Sequence, residues 1–389
     1  MLQHSNIAGA VYFLVESGMT LDASPSLESQ IVDRVRIFKE LGTSSALVIA
    51  VNNATEFDRA IAPKLRSGGI RYETIVARGR IQTAVRGAFA LRRAVKKYRP
   101  RFVYTRDPWG SMAHWIAFPF GGPKLLYDLR GDVVAESKFR GRSGMRHRAL
   151  AAFTARAIKH ADFYSAVSSK GAELLQTGYG QYGASIVPSC VDYETFEQHT
   201  SARNETRREL GFSEDNIVVV YSGGTQRYQL IPQMLRIWER MAANTSVRFL
   251  LMTHKTGSDP LVLPEILGDR LVTLEASRDQ VPRYLGAADI GFLLRAPHPL
   301  NQVASPIKFA EYLAAGLTVV ASPGIGDDSD LIVEHRIGTL VNADAPEEAA
   351  IHCLELVEEI KYNGVQYSDR SRKLARSHFD WRAHVAKFQ

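Results

Sequence analysis

The sequence alternates short apolar runs with helical stretches, and it does so twice. In the first half the runs are Ile7–Val15, Ala46–Val51, Tyr72–Val76, Phe102–Thr105 and Leu125–Tyr127, with helical periodicity over Gln30–Leu41 and Ile81–Tyr98. After about residue 200 the alternation restarts with Ile217–Tyr221, Val247–Met252, Leu271–Leu274, Ile290–Leu294 and Thr318–Ala321. These are separated by helical patterns at Leu230–Ala242, Val281–Ala287 and Pro306–Ala315. Runs apolar at consecutive positions are buried on both faces, and strands separated by helices are parallel. A chain of 389 residues exceeds one ordinary core. The expectation is therefore an α/β protein of two Rossmann-like, doubly wound domains facing a cleft. The polar segment Pro188–Asn204 marks the join, with one domain over 1–195 and a second over 196–375. A terminal helix over 376–389, carrying Trp381 and Phe388, is expected to pack back on the first domain.

Composition narrows the class. Hydrophobic residues at 45% and charged residues at 23% are ordinary globular usage. No apolar run approaches the ~18 residues that span a bilayer. The N-terminal MLQHSNIAGAVYFLV lacks a basic n-region and a small-residue cleavage site, so it does not read as a signal peptide. Cys190 and Cys353 are the only cysteines and have no metal-like spacing, which points to a reducing, cytoplasmic compartment. The net charge of +7 is unevenly spread: residues 1–200 carry +10 and residues 201–389 carry −3. The first half is therefore expected to meet something anionic. Lys138 to Arg148 holds half of that surplus and suits either an anionic membrane surface or a solvated loop.

Ligands of open parallel sheets bind beyond the carboxyl ends of the strands. There the sequence places Arg106 and Asp107, then Asp128, Arg130 and Glu136, then Ser222, Gly223, Gly224 and Arg227, and finally Arg295. The most informative stretch is ASPIKFAEYLAAG, residues 304–316. Ser305 suits an N-cap and Pro306 a first helical residue. Lys308 then falls in the first turn, where the helix dipole disfavours a cation unless an anion sits there. A phosphate is the natural anion. Glu311, one turn on along the same face, suits hydrogen bonds from sugar hydroxyls. A plain surface Lys–Glu pair is the alternative.

The run SPIKFAEYLAAGLTVVASPGIGD followed by IGTLV resembles the donor-site signature of the group 1, family 4 retaining glycosyltransferases, which have the GT-B fold. ADFYSAVSSKGAELL, IVPSCVDYETF, LGFSEDNIVVVYSGG and VPRYLGAADIGFLL fall in the same order as in that family, and YDLRGDVVAES resembles a D-x-R-G segment of a bacterial branch. The resemblance implies transfer of a sugar from a nucleotide-diphosphate sugar to a glycan, lipid-linked or small-molecule acceptor with retention, as in polysaccharide biosynthesis, without a metal or other cofactor. It assigns Glu311 to the donor ribose, the Gly223–Gly224 turn to the diphosphate and sugar, and Arg227 to the neighbourhood of the family's phosphate-binding lysine. Two departures stand out. The first glutamate of the E-x7-E pair is replaced by Val303, and the family's phosphate-binding arginine corresponds to Gly224. Arg295 or Lys308 is then expected to supply the missing charge. On the acceptor side Asp128 is the catalytic candidate beside Arg227 and Lys308, with Arg106, Asp107, Arg130 and Glu136 as acceptor-side residues.

Other features carry less. Asp327–Asp330 reads as a helix cap rather than a metal site. His114 is the one histidine near a ligand edge. No G-x-G-x-x-G opens a strand–helix unit, which disfavours a dinucleotide oxidoreductase. A basic chain without aromatic-basic interleaving does not read as a nucleic-acid binder. A nucleotide-sugar epimerase of GT-B-like fold and a non-catalytic glycosyltransferase-like subunit share the nucleotide site and remain the alternatives. The expected location is cytoplasmic, at or near the inner face of the membrane.

Overall fold

A computed structural model of the chain describes residues 9–15, 28–253 and 261–388. It divides into two compact units, residues 1–190 with 381–389, and residues 191–380. The first two residues of the run beginning at Ile7 lie outside the described residues.

The first unit is a parallel sheet of seven strands in the order β3-β2-β1-β4-β5-β6-β7. These are β1 (Val11–Val15), β2 (Ala46–Val51), β3 (Arg71–Val76), β4 (Phe102–Thr105), β5 (Lys124–Leu129), β6 (Phe163–Ala166) and β7 (Ser185–Ile186). Consecutive residues of one strand feed opposite faces: Tyr12 and Leu14 join one apolar cluster, Val11 and Phe13 the other. Helix α1 (Asp33–Glu40) lies on the first of these faces. Helices α2 (Arg80–Tyr98) and α3 (Pro108–Ala117) cover the second. Past β5 come α4 (Val133–Phe139) and α5 (Gly144–Lys159). The basic stretch 138–148 is thus the end of α4, a tight turn and the first turn of α5.

Trp381 and Phe388 are buried in the first unit, where the Trp381 indole donates to the Ser29 carbonyl at 2.9 Å. They form part of an aromatic cage around the buried Arg34 guanidinium, 3.9 Å from the Phe388 ring centroid and 4.6 Å from that of Tyr104. Arg34 thereby holds the last residues of the chain onto α1 by cation–π attraction.

The second unit is a parallel sheet of six strands in the order β10-β9-β8-β11-β12-β13. The strands are β8 (Ile217–Ser222), β9 (Val247–Met252), β10 (Leu271–Leu274), β11 (Ile290–Leu293), β12 (Thr318–Ala321) and β13 (Gly338–Leu340). Val218 and Val220 face one cluster, Val219 and Tyr221 the other. Helix α6 (Ile231–Met241) follows β8, α7 (Ile307–Ala315) precedes β12, and α8 (Asp328–Glu334) follows it. The unit closes with α9 (Pro346–Leu374), whose Cys353 is buried in the same cluster as Val219 and Tyr221. Both units have the doubly wound topology expected, and in each the strand order reverses beside the first strand. In the second unit that reversal lies between β8 and β11, where such sheets open a crevice for ligands.

Candidate active site

The residues following β8 and β11 converge with the start of α7. Beyond Ser222 the chain turns at Gly223, whose φ of 140° is costly for any side chain. A Cβ there would lie 2.5 Å from Lys308 Nζ, so glycine at this position makes room for the lysine. Lys308 is buried and donates to the Tyr221 hydroxyl and to Gln229 Oε1, both at 3.1 Å, with Nζ 4.1 Å from the Tyr221 ring centroid. The Tyr221 hydroxyl in turn donates to the Gly224 carbonyl at 2.6 Å, fixing the glycine turn. From one turn along α7, the Tyr312 hydroxyl accepts from the Ser222 amide at 3.0 Å and donates to the Phe292 carbonyl at 3.2 Å, tying β8 to β11. Tyr312 can cross β11 because residue 291 is glycine, where a Cβ would come 2.4 Å from its ring.

Lys308 is therefore not half of a surface ion pair. Among the described residues its ammonium has only neutral hydrogen-bond partners. Burial, reinforced by repulsion from Arg295 and only partly opposed by Glu311, holds its pKa well below the usual lysine range. Arg295 stacks its guanidinium 4.9 Å from the Tyr228 ring centroid, and its Nε is buried without a hydrogen-bond partner. Glu311 is half-buried and makes no hydrogen bond or ion pair among the described residues. Burial raises its pKa against the pull of Arg278 and Lys308. Two cations and a carboxylate without a hydrogen bond among the described residues thus lie near the glycine turn.

Asp328, at the start of α8, is buried with Oδ2 unpartnered. Its pKa is raised well above the carboxylate range by burial and by Asp327, against the opposing pull of Arg295. Arg227 stands exposed on the 227–229 turn and makes no side-chain hydrogen bond among the described residues, while its neighbour Gln229 holds Lys308. Helix α7 starts one residue later than the sequence suggests: Pro306 occupies the N-cap, without a side-chain cap.

In the first unit several assignments change. Asp128 is inside β5 rather than beyond it and is buried. Its Oδ2 accepts from the Tyr104 hydroxyl, its Oδ1 from the Ser165 hydroxyl at 2.7 Å, and Arg130 lies 3.6 Å away. Both of its carboxylate oxygens are thus engaged by internal hydroxyls. Arg130 is likewise an internal tie, donating to Gln30 Oε1 at 2.7 Å and to the Ser189 hydroxyl at 3.0 Å. Glu136 forms a surface pair with Arg140 at 2.6 Å, a contact worth only ~0.3–0.5 kcal/mol. Asp107 caps α3, its Oδ1 accepting from the amides of Trp109 and Gly110 at 2.8 and 2.9 Å. Its Oδ2 is buried and unpartnered, and burial pushes its pKa up to about 6. Arg106 beside it is half-buried.

His114 is not at a ligand edge. It is buried, with Nε2 2.9 Å from the Pro123 carbonyl and Nδ1 3.1 Å from His160 Nε2. Burial lowers its pKa to about 4 from an ordinary 6.5. The unfolded chain therefore takes up a proton at this site before the folded one does. His114 contributes stability that is present above pH 6.5 and lost as pH falls toward 4, by up to about 3 kcal/mol. Chemical unfolding of the wild type and of His114→Gln should show a steeper loss between those pH values in the wild type. Parallel pH profiles would remove the histidine from the account. The raised pKa of Asp107 works in the opposite direction and is common to both proteins, whereas His160, in contact with His114 and also lowered by burial, works in the same direction, so the difference reports the His114–His160 pair.

Tyr221, Gln229, Tyr312 and Asp328 were not legible as site residues. The two tyrosines fall inside apolar runs that read as core, and Asp328 lies in an acidic cluster that reads as a cap.

Residues 36–187 match the family described as glycosyl transferase 4-like domain, and residues 216–359 match glycosyl transferases group 1. No curated protein matches the sequence. Among solved structures, a glycosyltransferase from Rickettsia africae is similar over 97% of this chain and 96% of its own, with a TM-score of 0.71 at 13% identity. Anabaena Alr3699/HepE in complex with UDP is similar over 97% of this chain and 98% of its own, with a TM-score of 0.70 at 15% identity. The same protein has also been solved with UDP-glucose. A Listeria monocytogenes protein described as a UDP-N-acetylglucosamine 2-epimerase is less similar, with a TM-score of 0.56 at 14% identity over 98% of this chain and 94% of its own.

Proposed function

The chain belongs to the group 1, family 4 glycosyltransferases, and from that premise we propose that it moves a sugar from a UDP-sugar to a hydroxyl of a glycan or lipid-linked acceptor, with retention at the anomeric carbon. The observation that carries the reading is Lys308, buried against Gly223 at the strand-order reversal, with Arg295 beside it and Glu311 one turn on. The Anabaena protein's complexes with UDP and UDP-glucose favour uridine as the nucleotide.

In this reading Arg295 and Lys308 face the leaving diphosphate and supply the charge of the family arginine that this chain replaces with Gly224. Charge that grows on the leaving oxygen is met by groups already in place, which lowers the barrier without reorganisation. The diphosphate itself accepts the acceptor's proton on the same face of the sugar. Gly223 lets the backbone approach the sugar closely, and Glu311 accepts hydrogen bonds from the ribose. Two side-chain cations serve where a divalent ion would otherwise balance the charge, so turnover is expected to survive a chelator. Arg106 and the unengaged oxygen of Asp107 are the acceptor-side groups that remain available. The site of action is the cytoplasm, at the inner face of the membrane.

Glu311→Ala should raise the donor KM by roughly 5- to 150-fold, the ~1–3 kcal/mol expected when hydrogen bonds to a charged group are lost. An unchanged KM would remove Glu311 from the ribose. The function itself is tested by incubating the protein with UDP-hexoses, with and without a lipid-linked diphosphate-sugar acceptor. Acceptor-dependent release of UDP is expected. Isomerised donor without acceptor would make the chain an epimerase, and UDP binding without turnover on any donor would make it a non-catalytic subunit.

A further inference from the structure

Phe102, Lys124, Phe163 and Ser185 are the first residues of β4, β5, β6 and β7, and all four line a cavity of about 490 Å³ in the first unit. The cavity therefore lies at the amino ends of four neighbouring strands, at the opposite edge of the sheet from Arg106 and Asp107. Reacting ligands of open parallel sheets sit at the carboxyl edge, so this cavity is no part of that site.

Parallel sheets are ordinarily covered on both faces. Here the cover stops short. Strand β6 is paired on both sides, by β5 and β7, yet Phe163 at its start is 52% exposed. Tyr182, on the loop before β7, is 70% exposed and lines the same cavity. Two exposed aromatic rings in the wall of one concave site give a ring-shaped ligand surfaces to stack on. The volume suits a small organic molecule.

The charge selects the kind of molecule. Arg101, Lys124 and Lys387 bring three cations to the wall, and Asp162 is the one acid among the described residues that line it. That carboxylate is already engaged: Oδ1 accepts from Lys124 at 2.6 Å and Oδ2 from the Leu125 amide at 2.9 Å. Lys387 donates to the Ile186 carbonyl at 2.7 Å, which uses one of the three donors of an ammonium. Three cations against one acid leave an excess of two charges. A carboxylate ligand would balance half of that excess, whereas a phosphate monoester, at about −1.5 to −2 near pH 7, balances nearly all of it.

We propose that this cavity is a second ligand site, for a phosphate monoester carried on a ring, as in a nucleoside monophosphate or a sugar phosphate. The phosphate meets Arg101, Lys124 and Lys387, and the ring lies against Tyr182 and Phe163. Ser165, also in the wall, donates to Asp128 at 2.7 Å, and Phe388 in the wall belongs to the aromatic cage of Arg34. A ligand here therefore rests on the buried network of β5 and on the terminal segment at once, and its binding stabilises the first unit. The proposal goes beyond the transfer reading and does not depend on it.

Calorimetric titration of the full chain with adenosine 5′-monophosphate, ribose 5-phosphate and inorganic phosphate tests it. At least one of the two esters should bind saturably, more tightly than inorganic phosphate. The affinity should survive in Lys308→Met, which separates this site from the donor site. Tyr182→Ala, and separately Arg101→Gln with Lys387→Gln, should each weaken binding about tenfold or more. These positions are exposed, so both variants should keep the wild-type unfolding temperature. Should the double substitution melt lower, Tyr182→Ala alone decides. Tighter binding of adenosine monophosphate makes the ligand a nucleotide, and equal binding of the two esters makes it a sugar phosphate. Binding of neither ester, loss of binding in Lys308→Met, full affinity in Tyr182→Ala, or inorganic phosphate binding as tightly as both esters would overturn the proposal.

Discussion

Lys308→Ala should lower turnover by about 10²–10³-fold, the ~2.7–4 kcal/mol typical of losing one preorganised donor to developing charge. The effect should appear in kcat/KM and in UDP affinity, because in the proposed transfer the diphosphate is both a binding element and the leaving group. Stability should move in the opposite sense. The lysine is buried with neutral partners and its pKa is well below normal, so the folded protein holds its charge at a cost. The apo variant should melt no lower than the wild type. Lys308→Met keeps the volume and removes the charge, and it should show the same loss of turnover. A Lys308→Ala enzyme with at least a third of wild-type kcat/KM would show that the leaving group is stabilised elsewhere. A variant that lost activity only by unfolding would make the lysine structural.

Asp128→Ala should destabilise the first unit strongly, by ~3–5 kcal/mol. Removing one partner of a buried ion pair leaves the other charge uncompensated. Here the loss removes the carboxylate from the half-buried Arg130 and strips the buried Tyr104 and Ser165 hydroxyls of their acceptor. At about 2–4 °C per kcal/mol for a unit of this size, the unfolding temperature should drop by roughly 6–20 °C. Asp128→Asn retains one acceptor oxygen and should lose less. Its kcat per folded molecule should stay near the wild type, measured below the melting transition. If Asp128→Asn is stable and inactive, the carboxylate acts on substrate and its burial is relieved when the acceptor binds.

That contrast marks where the sequence was legible. Lys308 and Glu311 stood out because a cation in the first turn of a helix opposes the backbone dipole, a local rule needing no tertiary knowledge. What the lysine touches depends on Tyr221 and Gln229, contributed by a strand and turn about 80 residues earlier, and no spacing argument reaches that far. Asp128 was misplaced for a smaller reason. The apolar run Leu125–Tyr127 ends before it, but β5 continues to Leu129, so the aspartate sits within the sheet instead of beyond its edge. A buried charged residue inside a strand leaves no hydrophobic signature. The central strands of both sheets were readable because they are apolar at consecutive positions. β6 begins with the exposed Phe163, β7 has two residues and β13 begins at Gly338, and none of these makes an apolar run. They complete the carboxyl-side halves of the two sheets, where packing against existing strands sets the structure more than local preference does.

The account rests on a diphosphate site at the reversal of strand order in the second unit. The most direct test is a crystal structure of the protein with UDP. The pyrophosphate should lie within hydrogen-bond distance of Lys308 Nζ and the Arg295 guanidinium, over the Gly223–Gly224 turn, with the ribose hydroxyls on Glu311. A nucleotide bound elsewhere, or a Lys308 still donating only to Tyr221 and Gln229 in the complex, would contradict it.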